Sequence, residues 1–102
     1  MIRHIVAFKL KDYPTKEEKL RAAETVRTEL LALPSKISVI RDFEVGINIT
    51  DSPAAYDLVI NSAFDSEEDL ETYRVHPDHQ AFIQFNKNYS VQKVIVDYDF
   101  FN

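Results

Sequence analysis

The residues best suited to chemistry lie in one short stretch, Tyr73-Arg74-Val75-His76-Pro77-Asp78-His79, which holds two of the chain's three histidines. The third, His4, belongs to the first strand-like segment. A histidine can transfer a proton near neutral pH, and a tyrosine hydroxyl can hold an oxygen anion. His79 and Tyr73 are therefore candidates to remove a proton next to a carbonyl and to stabilise the resulting anion. The competing interpretation is structural, with His4, Tyr73 and His79 satisfying one another and the backbone.

Other kinds of site have weaker support in the sequence. Two histidines separated by two residues at the start of a helix are a weak zinc motif. We interpret His76 as a helix cap and predict no metal. The single glycine, Gly46, cannot build a glycine-rich phosphate loop, and no Ser-His-Asp triad follows from the spacing, so we also predict no cofactor. Lys93 shares a strand face with Ile95 near the expected cavity mouth, although lysines are more often solvated.

Composition narrows the classes of partner and location. The chain has 102 residues, 45% of them hydrophobic, and 17 acidic against 12 basic residues give a net charge of −5. Without a basic stripe we predict no binding to nucleic acid or to anionic membranes. The absence of cysteine favours a cytoplasmic location, and we expect no signal peptide. No apolar run approaches the ~20 residues of a membrane span.

Alternation of apolar and polar residues predicts four strands, over residues 2–11, 39–49, 56–64 and 91–100. In the first, His4, Val6 and Phe8 share the more apolar face, which should point into a packed layer. Gly46 in the second strand predicts a bulge or a close approach of backbones. The last strand is apolar on both faces, and we expect both to be covered.

Capping residues predict three helices between these strands. Thr15 caps the first, which should end just before Pro34 because proline disfavours helix in the preceding residue. Ser66 caps the second helix, which has acidic residues in its first turn. Pro77 ends that helix and suits the first position of a third, with His76 as its cap.

The predicted order of elements is β-α-β-β-α-α-β, which gives one α+β domain over residues 1–102. This split βαβ arrangement is ferredoxin-like, with a four-stranded antiparallel sheet and helices on one face. The opposite face, to which Val94, Val96 and Tyr98 contribute, would be bare in a single chain. A bare apolar face usually marks an interface, so we predict a homodimer.

Several segments resemble the stress-responsive A/B barrel (Dabb) family, within the dimeric α/β barrel superfamily, over nearly the whole chain. The most specific is Tyr-x-x-His-Pro-x-His at residues 73–79. The others are Arg3-His4-Ile5-Val6, Phe8-Lys9-Leu10-Lys11, Phe43-Glu44-Val45-Gly46, Ala55-Tyr56-Asp57-Leu58-Val59, Phe64-Asp65-Ser66 and Val96-Asp97-Tyr98. The resemblance implies a dimeric α/β barrel closed by the sheets of two subunits, with a cavity between sheet and helices in each subunit.

The resemblance also implies a chemistry. Some plant members of the family are associated with stress tolerance, and a plant polyketide cyclase performs a cofactor-free aldol cyclisation with a His–Tyr pair. The matching residues here are His79 and Tyr73, and His4 matches a further pocket histidine. The cyclase is aromatic at three positions that differ here: Ala22, Val26 and Ser90. This chain therefore has the same His–Tyr pair as the cyclase but different residues in the cavity wall that shapes the substrate.

These arguments define a predicted site and three candidate functions. His79 and Tyr73 are the predicted catalytic residues. The predicted substrate-binding residues are His4, Val6, Phe8, Ala22, Val26, Ile60, Phe82 and Ile95. The first function is a cofactor-free cyclase, isomerase or lyase acting next to a carbonyl of a small apolar or aromatic ligand. The alternatives are a non-catalytic stress-related or small-molecule-binding protein, and a monooxygenase-like or haem-handling barrel.

Overall fold

Four strands and three helices make up residues 1–101, the part of the chain that this computed structural model describes. In chain order they are β1 (Ile2–Leu10), α1 (Lys16–Leu31), β2 (Asp42–Ile47), β3 (Leu58–Phe64), α2 (Glu67–Val75), α3 (Pro77–Asn86) and β4 (Ser90–Asp99). The strand order is β2-β3-β1-β4, and every neighbouring pair is antiparallel. The predicted ferredoxin-like α+β fold is confirmed.

The central strand β1 forms the floor on which the helices pack. Its residues alternate between buried and half-buried, so that one face lies wholly in the interior. His4 is in the middle of that buried face, opposite Ser62 on β3 and Asp97 on β4. Because side chains that face each other across a ladder share one side of the sheet, Asp97 is placed on the same side as His4. The register therefore puts a carboxylate within reach of a buried imidazole.

Local capping explains where the helices begin. The Thr15 hydroxyl accepts a hydrogen bond from the Glu18 backbone N–H at 3.1 Å, and the Ser66 hydroxyl accepts one from the Asp69 N–H at 3.1 Å. Each such cap contributes about 1 kcal/mol to helix stability. His76 caps α3 through Nδ1, which accepts from the Asp78 N–H at 3.1 Å. The three predicted caps are confirmed, and the one at residue 76 fixes the break between α2 and α3.

Several element bounds differ from the prediction, each for a local reason. Helix α1 ends at Leu31, and residues 32–37 continue in turns closed by short-range backbone hydrogen bonds. Strand β2 is shorter than expected at both ends, and β3 begins only after Asp57, which is hydrogen-bonded to β1. Its N–H donates to the Phe8 carbonyl at 2.8 Å, and its carboxylate accepts from the Leu10 N–H at 2.7 Å.

Gly46 marks a close approach and not a bulge. The pairing of β2 with β3 runs without a register shift, and Gly46 lies opposite Val59. A Cβ at residue 46 would lie 3.2 Å from Val59 Cγ1, which is tighter than ordinary van der Waals contact. The absence of a side chain therefore lets the two strands pack closely.

Strand β4 is an edge strand that a single chain leaves uncovered. All its residues after Ser90 are exposed, although Val94, Val96 and Tyr98 form an apolar stripe on its outer side. The expected bare outer face is present, whereas the expectation that both faces are covered is not met within one chain. A long apolar edge is prone to pair with another chain. Within residues 1–101, no helix has the length and apolar character that crossing a membrane requires.

Candidate functional site

A cavity of about 460 Å³ lies between the β1–β4 side of the sheet and helices α2 and α3. Eight of the ten predicted site residues line it: His4, Val6, Phe8, Ile60, Tyr73, His79, Phe82 and Ile95. Alternation in the strands explains this clustering, because every second side chain of β1 points to the helix side of the sheet. The sequence pattern thus predicts eight of the seventeen residues that line this cavity.

The other two predicted residues, Ala22 and Val26, lie elsewhere. Both are on α1, are almost fully buried and belong to the hydrophobic core. Neither lines the cavity. The structure therefore does not place these two predicted substrate-binding residues at the cavity, because α1 packs closely on the sheet there and the open space lies on the β4 side. Ser90, at the start of β4, does line the cavity.

Tyr73, in the last turns of α2, is the most deeply buried polar side chain of the site. Its exposed fraction is 0%. Its hydroxyl is buried and has no hydrogen-bond partner within residues 1–101. Burial raises the pKa of Tyr73 well above its ordinary value of 10.0, so the hydroxyl stays protonated. A buried hydroxyl without a partner costs about 1–3 kcal/mol, so its presence beside a cavity calls for an explanation.

His79, in the first turn of α3, lies against Tyr73. The two ring centroids are 4.3 Å apart, and the ring planes are inclined by 37°. His79 Nδ1 is 3.0 Å from the carbonyl oxygen of Arg74, at the end of α2. Because a carbonyl only accepts, Nδ1 must donate, which leaves Nε2 of the neutral ring with a lone pair. The break between α2 and α3 at His76 therefore turns His79 towards Tyr73, and the Arg74 carbonyl fixes the tautomer of His79.

The electrostatic environment keeps His79 neutral. Burial is the largest effect and lowers the pKa of His79 below its ordinary value of 6.5. The hydrogen bond to the Arg74 carbonyl acts in the opposite direction, and Coulombic interactions with His4, Lys93 and Arg74 lower the pKa of His79 further. A neutral imidazole with a free Nε2 can accept a proton at neutral pH.

His4 forms the third polar group of the site and has a partner that the sequence analysis did not assign. Its Nδ1 is hydrogen-bonded to Oδ1 of Asp97 on β4. Its ring packs edge-on against Tyr73, with centroids 6.0 Å apart. The alternation of β4 already placed Asp97 on the face of Lys93 and Ile95, but the pairing with His4 depends on the register between two distant strands.

The rest of the lining adds polar residues that sequence reasoning missed. Asn86, near the end of α3, accepts a hydrogen bond from the Ser90 hydroxyl at 2.8 Å through Oδ1. Arg74, Gln80, Lys87 and Gln92 also line the cavity. No group of three or more His, Cys, Asp or Glu side chains within residues 1–101 is placed to hold a metal ion. The site thus combines an apolar wall with a larger set of polar and charged groups that can orient a small molecule.

Comparison with known proteins places this fold and site in a family. An uncharacterized protein of Streptomyces coelicolor is 41% identical over 102 residues, which cover 98% of this chain and 100% of that protein. A dimeric protein of unknown function with a ferredoxin-like fold from Bacteroides fragilis is 37% identical, with a TM-score of 0.83 over 97% of this chain and 95% of that one. A dimeric ferredoxin-like protein of unknown function from Thermobifida fusca is 27% identical, with a TM-score of 0.80 over 97% and 90% of the two chains.

More distant structures share the fold alone. They include the hydroxynitrile lyase of Passiflora edulis, at 16% identity and a TM-score of 0.77 over 95% of this chain and 90% of that one. An antibiotic biosynthesis monooxygenase is 13% identical, with a TM-score of 0.76 over 100% of both chains.

The family described as the stress responsive A/B barrel domain matches residues 2–100. This chain therefore belongs to the stress-responsive A/B barrel (Dabb) family.

Proposed function

We propose that this protein is a homodimeric enzyme that moves a proton next to a carbonyl of a small apolar or aromatic ligand, as a cyclase, isomerase or lyase, using its own side chains. The observation that carries the proposal is the buried, unpartnered Tyr73 hydroxyl, whose ring is 4.3 Å from that of His79. Since this hydroxyl is inaccessible in the ligand-free chain, its neighbours would have to shift for a ligand oxygen to supply the hydrogen-bond partner that the chain does not. The reacting carbon would then lie beside a histidine with a free Nε2.

Each residue has a distinct role in this reaction. His79 Nε2 accepts the proton from the carbon next to the carbonyl, while the Arg74 carbonyl holds Nδ1–H and stabilises the imidazolium that forms. Tyr73 donates its O–H to the oxygen on which negative charge develops. His79 then returns the proton to carbon in an isomerase or to the leaving group in a lyase. In a cyclase the enolate carbon attacks a second carbonyl of the ligand, and His79 returns the proton to the alkoxide oxygen that forms there. His4, held by Asp97, and the apolar wall would orient the ligand.

The alternative functions have less support. A non-catalytic binding protein would use the same cavity and the same Tyr73 hydroxyl, so turnover is the property that separates it from an enzyme. The monooxygenase-like alternative has a fold neighbour at 13% identity, which is a likeness of fold alone. We therefore favour proton transfer and retain binding without turnover as the outcome that the test must exclude.

The proposed dimer would form through the outer face of β4. The solved neighbours at 37% and 27% identity are described as dimeric, and the apolar stripe of β4 is exposed in a single chain. Such an interface would be isologous, with the same face on both subunits. A cytoplasmic location belongs to the same proposal, and the lack of cysteine supports it.

A proton-exchange assay tests the enzymatic proposal before the natural substrate is known. Phenylacetone carries an aromatic ring and an activated methylene next to a carbonyl, and NMR in D₂O follows the replacement of its methylene protons. We expect the wild type to accelerate this exchange over buffer. His79→Ala and Tyr73→Phe should each reduce the acceleration by about 10²–10⁴-fold.

The matched control is His76→Asn, which removes a histidine from the same stretch but keeps a residue that caps helices well. It should retain the wild-type exchange rate. The proposal fails if the wild type does not accelerate exchange, or if His76→Asn loses as much activity as His79→Ala. Saturable binding of phenylacetone without exchange would instead favour the binding protein.

A further inference from the structure

The cavity has a charge opposite to that of the protein as a whole. The chain carries 17 acidic and 12 basic residues. Three cations, Arg74, Lys87 and Lys93, line the cavity, whereas no carboxylate does. Asp97, the acidic residue that is hydrogen-bonded to His4, is not part of the lining. The ligand space is therefore locally positive in an acidic protein, which selects for negative charge in the ligand.

The three cations differ in the protein groups that their charged ends contact. The Arg74 guanidinium is 2.8 Å from the Glu71 carboxylate. The Lys87 ammonium donates to Gln84 Oε1 at 3.3 Å. For Lys93, no ion pair or hydrogen bond of the ammonium group is found within residues 1–101. Among the described residues, only Arg74 is paired with an opposite charge, because the Gln84 amide that binds Lys87 is neutral. Lys93 is the one of the three whose cationic group contacts neither a counter-charge nor a hydrogen-bond acceptor in the part of the chain that the structure describes.

The position of Lys93 directs that charge to the cavity. Lys93 lies opposite Phe8 in the β1–β4 ladder and two residues before Ile95, and all three residues line the cavity. Its side of the strand is therefore the helix side, opposite to the apolar stripe of Val94 and Val96. The charge of Lys93 also contributes to lowering the pKa of His79, which indicates that the two groups interact electrostatically within the same space.

We propose that the ligand of this cavity is an apolar oxo acid, whose carboxylate binds the Lys93 ammonium while its carbonyl reaches Tyr73 and His79. The inference rests on the proposed function for the carbonyl end and adds the charged end. The apolar body of the ligand would lie on Phe8, Phe82 and Ile95, between the two polar ends. A ligand anchored at both ends is held in one orientation, which places a single carbon beside Nε2 of His79.

A matched pair of probes tests the charged end by itself. Benzoylpropionate has an aromatic ring, a ketone and a carboxylate, and its primary amide has nearly the same shape without the charge. Dissociation constants for both are measured by calorimetry at neutral pH, at low and at high salt. We expect the wild type to bind the acid about tenfold or more tightly than the amide, since hydrogen bonds to charged groups are among the stronger ones. High salt should reduce the difference.

Three variants locate the effect. Lys93→Gln should abolish the preference for the acid and leave the affinity for the amide unchanged, whereas Lys93→Arg should keep the preference. Lys11→Gln, an exposed lysine that does not line the cavity, is the matched control and should behave as wild type. Thermal melts establish that each variant is folded.

The outcomes separate this inference from the proposed function. Equal affinity for acid and amide, no measurable binding of either probe, or a preference that survives in Lys93→Gln would overturn the inference. None of these results decides whether the protein exchanges the methylene protons of the neutral ketone phenylacetone, which is the test of the proposed function. Conversely, a wild type that prefers the acid but exchanges no protons would keep the oxo acid as ligand and remove the catalytic step.

Discussion

Replacing Tyr73 by phenylalanine should make the ligand-free protein more stable and less active at the same time. The substitution removes one oxygen atom and keeps the ring. In the folded protein that oxygen is buried and has no partner within residues 1–101, whereas in the unfolded chain water can solvate it. Removing the hydroxyl therefore removes a cost of folding and breaks no hydrogen bond to the rest of the described chain.

The size of this effect follows from the burial of Tyr73. Because the exposed fraction of Tyr73 is 0%, its unsatisfied hydroxyl should lower the free energy of unfolding by about 1–3 kcal/mol, close to the full cost of a buried polar group without a partner. Unfolding entropy is about 2.1 cal/mol/K per residue, or about 0.2 kcal/mol/K for 102 residues, so each kcal/mol shifts Tm by about 5 °C. Tyr73→Phe should thus raise Tm by about 5 °C or more.

Differential scanning calorimetry of the wild type and the variant measures this shift. Tyr56→Phe is the matched control, because Tyr56 is partly exposed and its Tm should change by no more than a few degrees. A lower Tm for Tyr73→Phe would show that the hydroxyl makes a stabilising hydrogen bond in the free protein. The reasoning that assigns it to a ligand would then be refuted.

The remaining predictions concern the pH dependence, the interface and the core. Because the pKa of His79 lies below 6.5 in the folded protein, the unfolded state binds more protons between the two pKa values, and the wild type should lose stability as pH falls below about 6.5. His79→Gln should lose less in urea titrations over that range. Val96→Asp places a charge on the exposed outer face of β4 and should convert the proposed dimer to monomer in light scattering. Ala22→Phe overpacks the core under α1 and should cost about 1–3 kcal/mol in urea unfolding, with ligand binding unchanged.

Each of these predictions has a result that would contradict it. Equal loss of stability in acid for wild type and His79→Gln would mean that another group titrates. A dimer that persists in Val96→Asp would place the interface away from β4. Lys36→Asp, at an exposed residue of the turns that follow α1, is the control and should remain dimeric. An Ala22→Phe variant that keeps its stability but loses ligand affinity would restore the first helix to the cavity wall.

Much of the fold was predictable because its signals are local. The period of two in β1 and the caps at Thr15, Ser66 and His76 depend on residues close together in the chain, and the structure confirms them. The position of His79 beside Tyr73 followed from the proline break, which is also a local feature. Side chains set by alternation or by a helix turn were therefore predicted well.

The features that were missed depend on contacts between distant segments. The His4–Asp97 hydrogen bond needs the register of β1 against β4, which alternation does not specify. The depth of α1 on the sheet decides whether Ala22 and Val26 face a cavity or a core, and no pattern within the helix encodes that depth. The sequence established which face each residue occupies, but the distance between facing layers emerges only from packing.

The arrangement around residue 76 is difficult to explain by stability alone. A phenylalanine in place of Tyr73 would fill the same space without burying an unpaired hydroxyl, and an uncharged polar residue in place of His79 would avoid the penalty that acid imposes. Selection for stability would favour both changes. Yet the two residues that cost stability are in direct contact, and both line one cavity. Local departures from the rules of good packing that converge on one cavity are expected of a functional site and not of a structural core.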